Sequence, residues 1–330
     1  MSKLALCFLV TKNIKNLDVF EQWISGYEHL VNIYAHFSEI GTIDQPILLK
    51  NRVHAVPTKW GDISLIYAEA ELYKEALKNT DNAFFILLSE NCIPVRSFEY
   101  TYNRLMSDKK RGILAYRDVG KFYPDDCEPF MSEGSCGKLL DKFGFYDHVY
   151  AADQWKALSR SNAKDFMKML SNVNWIKLFT ECIKIVPDSL APDELFYVNY
   201  MNQKYGLSTQ FRHGQVTMVD FTGKAVHPIN YKQITPKTAD LICESNSMFA
   251  RKFPEPIPGR IVKQTPVSCK YYRAVSRGIQ SKSKKSKKSK SKKSKKSKSK
   301  KSKKSKSKKS KKSKSKKSKS KKSNSKKSKK

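Results

Sequence analysis

The stretch KWGDISLIYAEAELYKEALKNTDNAFFILLSENCIP, residues 59–94, decides the fold. It opens on Trp60-Gly61, runs into an amphipathic helix capped by Asp62, and closes on a buried strand at residues 83–88. The carboxyl end of that strand carries Ser89 and Glu90. A helix followed by an almost wholly apolar strand is the repeating unit of a parallel α/β sheet. Such sheets bind ligands at the carboxyl ends of their strands. The segment LLSENCIP is therefore a candidate floor for a small-molecule site; the alternative is that Ser89 and Glu90 merely begin a solvated loop.

Upstream, LALCFLV at residues 4–10 is too short to span a membrane, which takes about 20 apolar residues. It has no cleavage-site pattern, so it is expected to be the first strand of a soluble chain, cytoplasmic or nuclear. Asn16 stands where a helix N-cap belongs, and Leu17, Phe20, Trp23, Ile24, Tyr27, Leu30 and Val31 follow at helical spacing. Residues 32–36 form a short second strand. Downstream, helices are expected at 98–106 and 235–246, strands at 112–116 and 216–221, and a strand turning into a helix at 152–164. Residues 188–203 read as a loop and helix entered through Ala191-Pro192-Asp193-Glu194. Residues 121–145 mix Gly, Pro and charges and are expected to drape over the site.

The formal net charge of +35 misleads, because residues 281–330 hold 30 of the 65 Lys+Arg and no acid. The remainder balances 35 basic against 30 acidic residues and is an ordinary globular chain with enough apolar side chains for a sizeable core. Three segments follow: residues 1–253 as the folded body, 254–280 as a Pro-containing extended linker, and 281–330 as a Lys/Ser tail expected to be disordered. A polycation of that density binds nucleic acid, acidic glycans or anionic membrane, whereas the bland reading is a self-repelling solubilising tail or a nuclear-localisation signal. The seven cysteines are scattered without a CxxC pair. Cys7 and Cys92 read as buried thiols, while Cys127 and Cys136 can pair in an oxidising compartment.

Much familiar chemistry is missing. The chain has no GxxxxGK[ST], GxGxxG, HExxH or GxSxG motif. It also lacks DxD; the nearest variant, Asp126-Cys127-Glu128, lies in a loop.

The segments WGDISLIYAEAELYKEAL, FILLSENCIPV, YNRLM, DQWKALSRSNA, APDELF, TMVDF followed by HP, and MFARKF occur in an order that resembles the core-2/I-branching enzyme family of glycosyltransferases, relatives of the peptide O-xylosyltransferases. The resemblance implies a mixed α/β fold of the GT-A type, with a mostly parallel central sheet flanked by helices. It implies a UDP-sugar donor, most simply UDP-N-acetylglucosamine with UDP-xylose second, a glycan or glycoprotein acceptor, inversion at the anomeric carbon, and no metal cofactor. It implies Glu194 as the base, with dipole stabilisation of a helix N-terminus as the alternative role. That location tends to lower a carboxylate pKa, and Asp193 is expected to cap or orient. Lys252, in MFARKF, would bind the donor diphosphate with Lys232, or Lys237, as the second cation.

The family's HVD-like nucleotide segment matches Ala35-His36-Phe37-Ser38-Glu39, where the Asp is missing and Ser38 or Glu39 stands in. Trp60, Ser89 and Glu90 would line the donor pocket, Trp60 being otherwise a core residue. Gln154 and Trp155 match the family's QW segment near the acceptor, with Trp155 offering either a face for sugar stacking or a core side chain. Family members in animals and plants carry a membrane anchor and stem; this chain starts at its first strand and resembles the soluble versions that large DNA viruses encode. The rival reading is an inactive glycosyltransferase-like body used as a polyanion binder through its tail.

Overall fold

The computed structural model describes residues 1–38, 43–118, 149–177, 180, 191–221 and 228–257. Glu39, the 121–145 segment with Asp126, Cys127 and Cys136, and residues 258–330 with the Lys/Ser tail lie outside them.

The order of elements begins β1 (Lys3–Val10), α1 (Leu17–Ile24), β2 (Val31–Phe37), α2 (Pro46–Lys50), α3 (Ser64–Lys78), β3 (Asn82–Ser89), β4 (Ile93–Pro94) and α4 (Phe98–Met106). It continues with β5 (Gly112–Leu114), β6 (Tyr116–Asp118), β7 (Tyr150–Ala152), β8 (Ala157–Ser159), α5 (Arg160–Leu170) and α6 (Pro192–Tyr205). It ends with α7 (Leu207–Gln210), β9 (Phe211–His213), β10 (Thr217–Val219), α8 (Pro236–Glu244) and β11 (Phe249–Arg251). The central sheet runs β2-β1-β3-β8-β5-β9, with β8 antiparallel to both its neighbours and every other pairing parallel. It is the mixed, mostly parallel sheet flanked by helices that the sequence predicts.

The apolar runs of β1 and β3 are explained by burial on both faces. Leu4, Leu6, Phe8 and Val10, with Phe84, Ile86 and Leu88, point into one core, where α1 contributes Phe20 and Trp23 and β11 contributes Phe249. Ala5 and Cys7, with Phe85 and Leu87, point into the other, formed with Tyr73 of α3, Phe166 of α5 and Phe196 of α6. This is the two-residue period of a strand, read out on both sides at once.

Several local expectations change in the folded chain. The helical stripe predicted to reach Leu30 and Val31 stops at Ile24, because Gly26 turns the chain at φ 85°. Residues 30 and 31 instead lead into β2. Asn16 occupies the N-cap of α1 but makes no capping bond. Its buried amide instead donates to the carbonyls of Phe253 and Glu255 (both 3.1 Å) and accepts from the Ile257 N–H (2.9 Å), clamping the exit segment to the body. Asp62 acts one residue earlier than a formal cap, accepting from the Ser64 N–H at 2.8 Å. The single strand expected at 112–116 divides: β5 joins the central sheet, and β6 leaves it to pair with β7. At the break, the Ala115 carbonyl accepts from the Asp153 N–H at 2.9 Å. Gly112 is required where it stands, since a Cβ there would lie 2.7 Å from Asn162 Oδ1 and 2.8 Å from the Ala157 carbonyl.

A second small sheet, β10-β11-β4, decides the site. Phe249 and Ala250 pair with Pro94 and Ile93, immediately after β3. The Phe253 N–H then donates to the Asn91 carbonyl at 2.9 Å. By this pairing MFARKF, remote in sequence, is laid beside the carboxyl end of β3. Among the described residues no helix is long and apolar enough to cross a membrane.

Candidate active site

The registers Leu9↔Ser89 and Val10↔Phe37 bring the carboxyl ends of β1, β2 and β3 side by side. Thr11, Ser38 and Glu90 follow directly. The Thr11 hydroxyl donates to Glu90 Oε1 at 3.1 Å. Ser89 is buried, with its Oγ 3.4 Å from Cys92 Sγ and accepting from the Asn91 N–H at 3.3 Å, so it shapes the turn beneath Glu90. His36 is buried and accepts the Val56 N–H at Nε2 (3.0 Å), which leaves its proton on Nδ1. Burial pushes its pKa down to about 4, so it stays neutral. His36 Nδ1 and Ser38 Oγ are both buried without a hydrogen-bond partner among the described residues. Buried polar atoms are rarely left so, and the carboxyl end of β2 is where the donor nucleotide is expected.

Lys252 follows β11, and burial, reinforced by neighbouring Arg251, lowers its pKa while Glu90 acts the other way. That electrostatic signature places its charge among Arg251 and Glu90 at the end of β3. Tyr231 donates its N–H to the Lys252 carbonyl at 2.8 Å and stacks on Phe253, so Lys232 begins next to this strand and is exposed. Lys237 lies exposed on α8. Trp60 is 73% exposed, on the turn before α3, and is not a core residue.

Glu194 stands in the first turn of α6, behind Pro192, with its N–H bonded to the Ala191 carbonyl at 2.9 Å. It is half-buried. Burial, then the charge of Asp193, pushes its pKa up to about 7; Asp153 adds to the rise, and Arg117 and Lys156 oppose it. The helix terminus by itself acts to lower it. Desolvation and two like charges outweigh the partial positive charge of one helix end. Asp193 stands beside Glu194 in the first turn of α6; its own pKa is raised by burial and held down chiefly by Lys156, then by a hydrogen bond to its own backbone N–H and by Arg251.

Trp155 is buried, and the Arg251 guanidinium covers its ring 4.2 Å from the centroid. One face of the indole is thereby taken by a cation rather than left for a sugar. Gln154 beside it is half-buried.

Several members of this constellation escape a reading of the sequence. Arg251 looks like a solvated neighbour of Lys252, yet it is mostly buried and feels Glu90, Glu194 and Asp193 together. Its Nε has no partner among the described residues. Lys156 and Glu69 are 2% and 1% exposed and form an ion pair at 2.8 Å. A signal for Glu69 existed: it shares the buried face of α3 with Ile66, Tyr73 and Ala76. Burial raises the pKa of Asp153, against a hydrogen bond from Gln215 and the charges of Arg117 and His213. Among the described residues no group of three or more His, Cys, Asp or Glu side chains is arranged to hold a metal ion.

The family profile "Core-2/I-Branching enzyme" matches residues 4–244. Glycosyltransferase BC10 of Oryza sativa subsp. japonica is 24% identical over 205 residues, covering 54% of this chain and 48% of that protein. The chain thus spans about half the length of the curated relative it matches. Among solved structures, the crystal structure of A197 from STIV is similar over 35% of this chain and 47% of its own, at 9% identity and a TM-score of 0.20, a level that carries no argument. The family match takes in β1 through α8 and with them Glu194, so the chain belongs to the core-2/I-branching enzyme family.

Proposed function

We propose that this protein is an inverting glycosyltransferase that moves a sugar from a UDP-sugar to a hydroxyl of a glycan or glycoprotein acceptor. UDP-N-acetylglucosamine is the first donor to test and UDP-xylose the second. The observation that carries the reading is Glu194: a half-buried carboxylate with a pKa raised to about 7, in a chain of this family. A base is most effective when its pKa lies near the working pH.

In this reading Glu194 takes the acceptor hydroxyl proton as that oxygen attacks the anomeric carbon. The bond from that carbon to the diphosphate oxygen breaks, and UDP leaves with the electron pair. The charge growing on the diphosphate needs compensation. Lys252, partly desolvated near the end of β3, supplies it, with Lys232 beside the same strand as the second cation. His36 Nδ1–H and the Ser38 hydroxyl would meet the nucleotide, with Trp60, Ser89 and Glu90 around it and Glu39 following in the chain. Gln154 and Trp155 stand on the acceptor side. Side-chain cations make a divalent metal unnecessary, so transfer should persist in EDTA.

An inactive body serving only as a carrier for the polybasic tail gives no reason for a carboxylate held near neutrality beside a cluster of buried charges. The deciding experiment is Glu194→Gln in the full chain. Transfer should fall by about a thousandfold, with UDP binding by calorimetry within a few-fold of wild type. Undiminished transfer would remove Glu194 as the base.

A further inference from the structure

Beneath the candidate base lies an ion pair that the proposed reaction does not use. Lys156 Nζ sits 2.8 Å and 3.0 Å from the two carboxylate oxygens of Glu69 and donates to the Gln154 carbonyl at 3.2 Å. Both side chains are almost fully buried, and the ammonium also lies 5.8 Å from the centre of the Phe166 ring. A buried pair of this kind rarely stabilises a fold better than apolar residues of the same volume, because desolvation of both ions offsets their attraction. Its presence needs another reason.

Its position suggests one. Glu69 comes from α3, and Lys156 from the segment entering β8. The carbonyl that Lys156 holds belongs to Gln154, next to the Trp155 ring that carries Arg251. The charge of Lys156 also reaches Asp193 and Glu194 in the first turn of α6. One ammonium therefore holds the Gln154 carbonyl and polarises both carboxylates in the first turn of α6.

We propose that the Glu69–Lys156 pair is a positioning strut, which holds the Gln154–Trp155 segment against α3 and sets the electrostatic field at Glu194 and Asp193. The proposal rests on Glu194 being the base. Other charges face Glu194 too: Asp193 from its own helix, Arg117 from β6, Asp153 from the segment after β7, and Arg251 from β11. Glu69 in turn faces Asp193, Tyr73 and Cys7. The strut differs from all of these in being a matched buried pair, so removing either half leaves the charge of the other uncompensated.

The test is a direct titration of Glu194 by carboxyl-carbon NMR on the full chain labelled at glutamate, with the signal assigned by its loss in Glu194→Gln. In Lys156→Met the midpoint should rise by about one unit, because a nearby cation has gone. In Glu69→Gln it should fall by a similar amount, because the ammonium is no longer neutralised. The double variant Lys156→Met, Glu69→Met removes both charges without leaving one unpaired. It should unfold at or above the wild-type temperature and still titrate high. A Glu194 midpoint unchanged in the folded single variants would overturn the strut, and so would a double variant that does not fold, since the pair would then be serving stability. Activity in Glu194→Gln is a separate readout: if it survives, the base assignment fails while the titration still reports on the strut.

Discussion

The two sides of the candidate site are made in different ways. On the side of β1, β2 and β3, regular parallel pairing carries Thr11, Ser38 and Glu90 to adjacent strand ends, and two buried polar atoms, His36 Nδ1 and Ser38 Oγ, have no partner among the described residues. On the side of α6 and β11, ions of both signs are withdrawn from water together: Glu69 with Lys156, and Asp193 and Glu194 with Arg251. The first side has polar capacity left over for a ligand. The second has its charges set against one another, and the balance among them leaves one carboxylate able to exchange a proton near neutral pH. Binding and proton transfer thus draw on opposite conditions: unsatisfied groups for the one, nearly compensated groups for the other.

Substitutions can test whether the division is real. The largest effect should come from Lys252→Ala, which leaves the proton-transfer side intact and removes a cation from the donor side. Transfer should drop by about a hundredfold while the pH at half-maximal rate stays in place. A shifted profile with little loss of rate would merge the two sides.

Next in size is a stability effect of Glu194→Gln. A carboxyl whose pKa is higher in the folded chain than in the unfolded one stabilises the fold below the unfolded value, and that contribution is lost as pH rises through the folded value. For Glu194 the window runs from 4.5 to about 7. Above that window the wild type bears the cost of an ionised, half-buried carboxylate. The Gln variant should therefore be more stable by about 1–2 kcal/mol at pH 8, after discounting the shift for solvent screening. The advantage should vanish near pH 4; thermal unfolding across that range checks it.

Asp193→Asn should act more gently on rate but sharpen the electrostatic account. Removing the neighbouring negative charge should lower the acidic limb of the rate profile by about one unit. An unmoved limb would leave burial and the charge of Asp153 to account for the raised pKa. Smallest of all should be Lys232→Ala: an exposed cation screened by water is expected to change the donor KM by about three-fold or less, read from initial rates.

Legibility in the sequence follows the same division. β1, β3 and α3 are announced by apolar runs and helical spacing, and Glu194 by Pro192 at the start of its helix. The strand ends that carry Ser89 and Glu90 follow from those elements. Arg251 and Lys156 are not announced, because a lone charge in a sequence has the same appearance whether it faces water or a partner far along the chain; Glu69 is marked only by its place on the apolar face of α3. Asn16 shows the same limit on a smaller scale: its local setting suits a helix cap, but the chain returning at residues 253–257 offers three better hydrogen bonds.

By itself, then, the sequence determined the layered α/β architecture, the central strands, the helix that presents Glu194 and the family to which the chain belongs. Those depend on periodicity and on the order of segments, which are properties of the chain read in one direction. Only the tertiary structure decided that β11 pairs with β4 and lays Lys252 beside Glu90, that Arg251 covers Trp155, and that Glu194 titrates near 7 rather than below the usual carboxylate range. Those outcomes depend on which charges are desolvated together. Electrostatic energies at short range in a medium of low polarity are set by distances between residues remote in sequence, and folding alone supplies those distances.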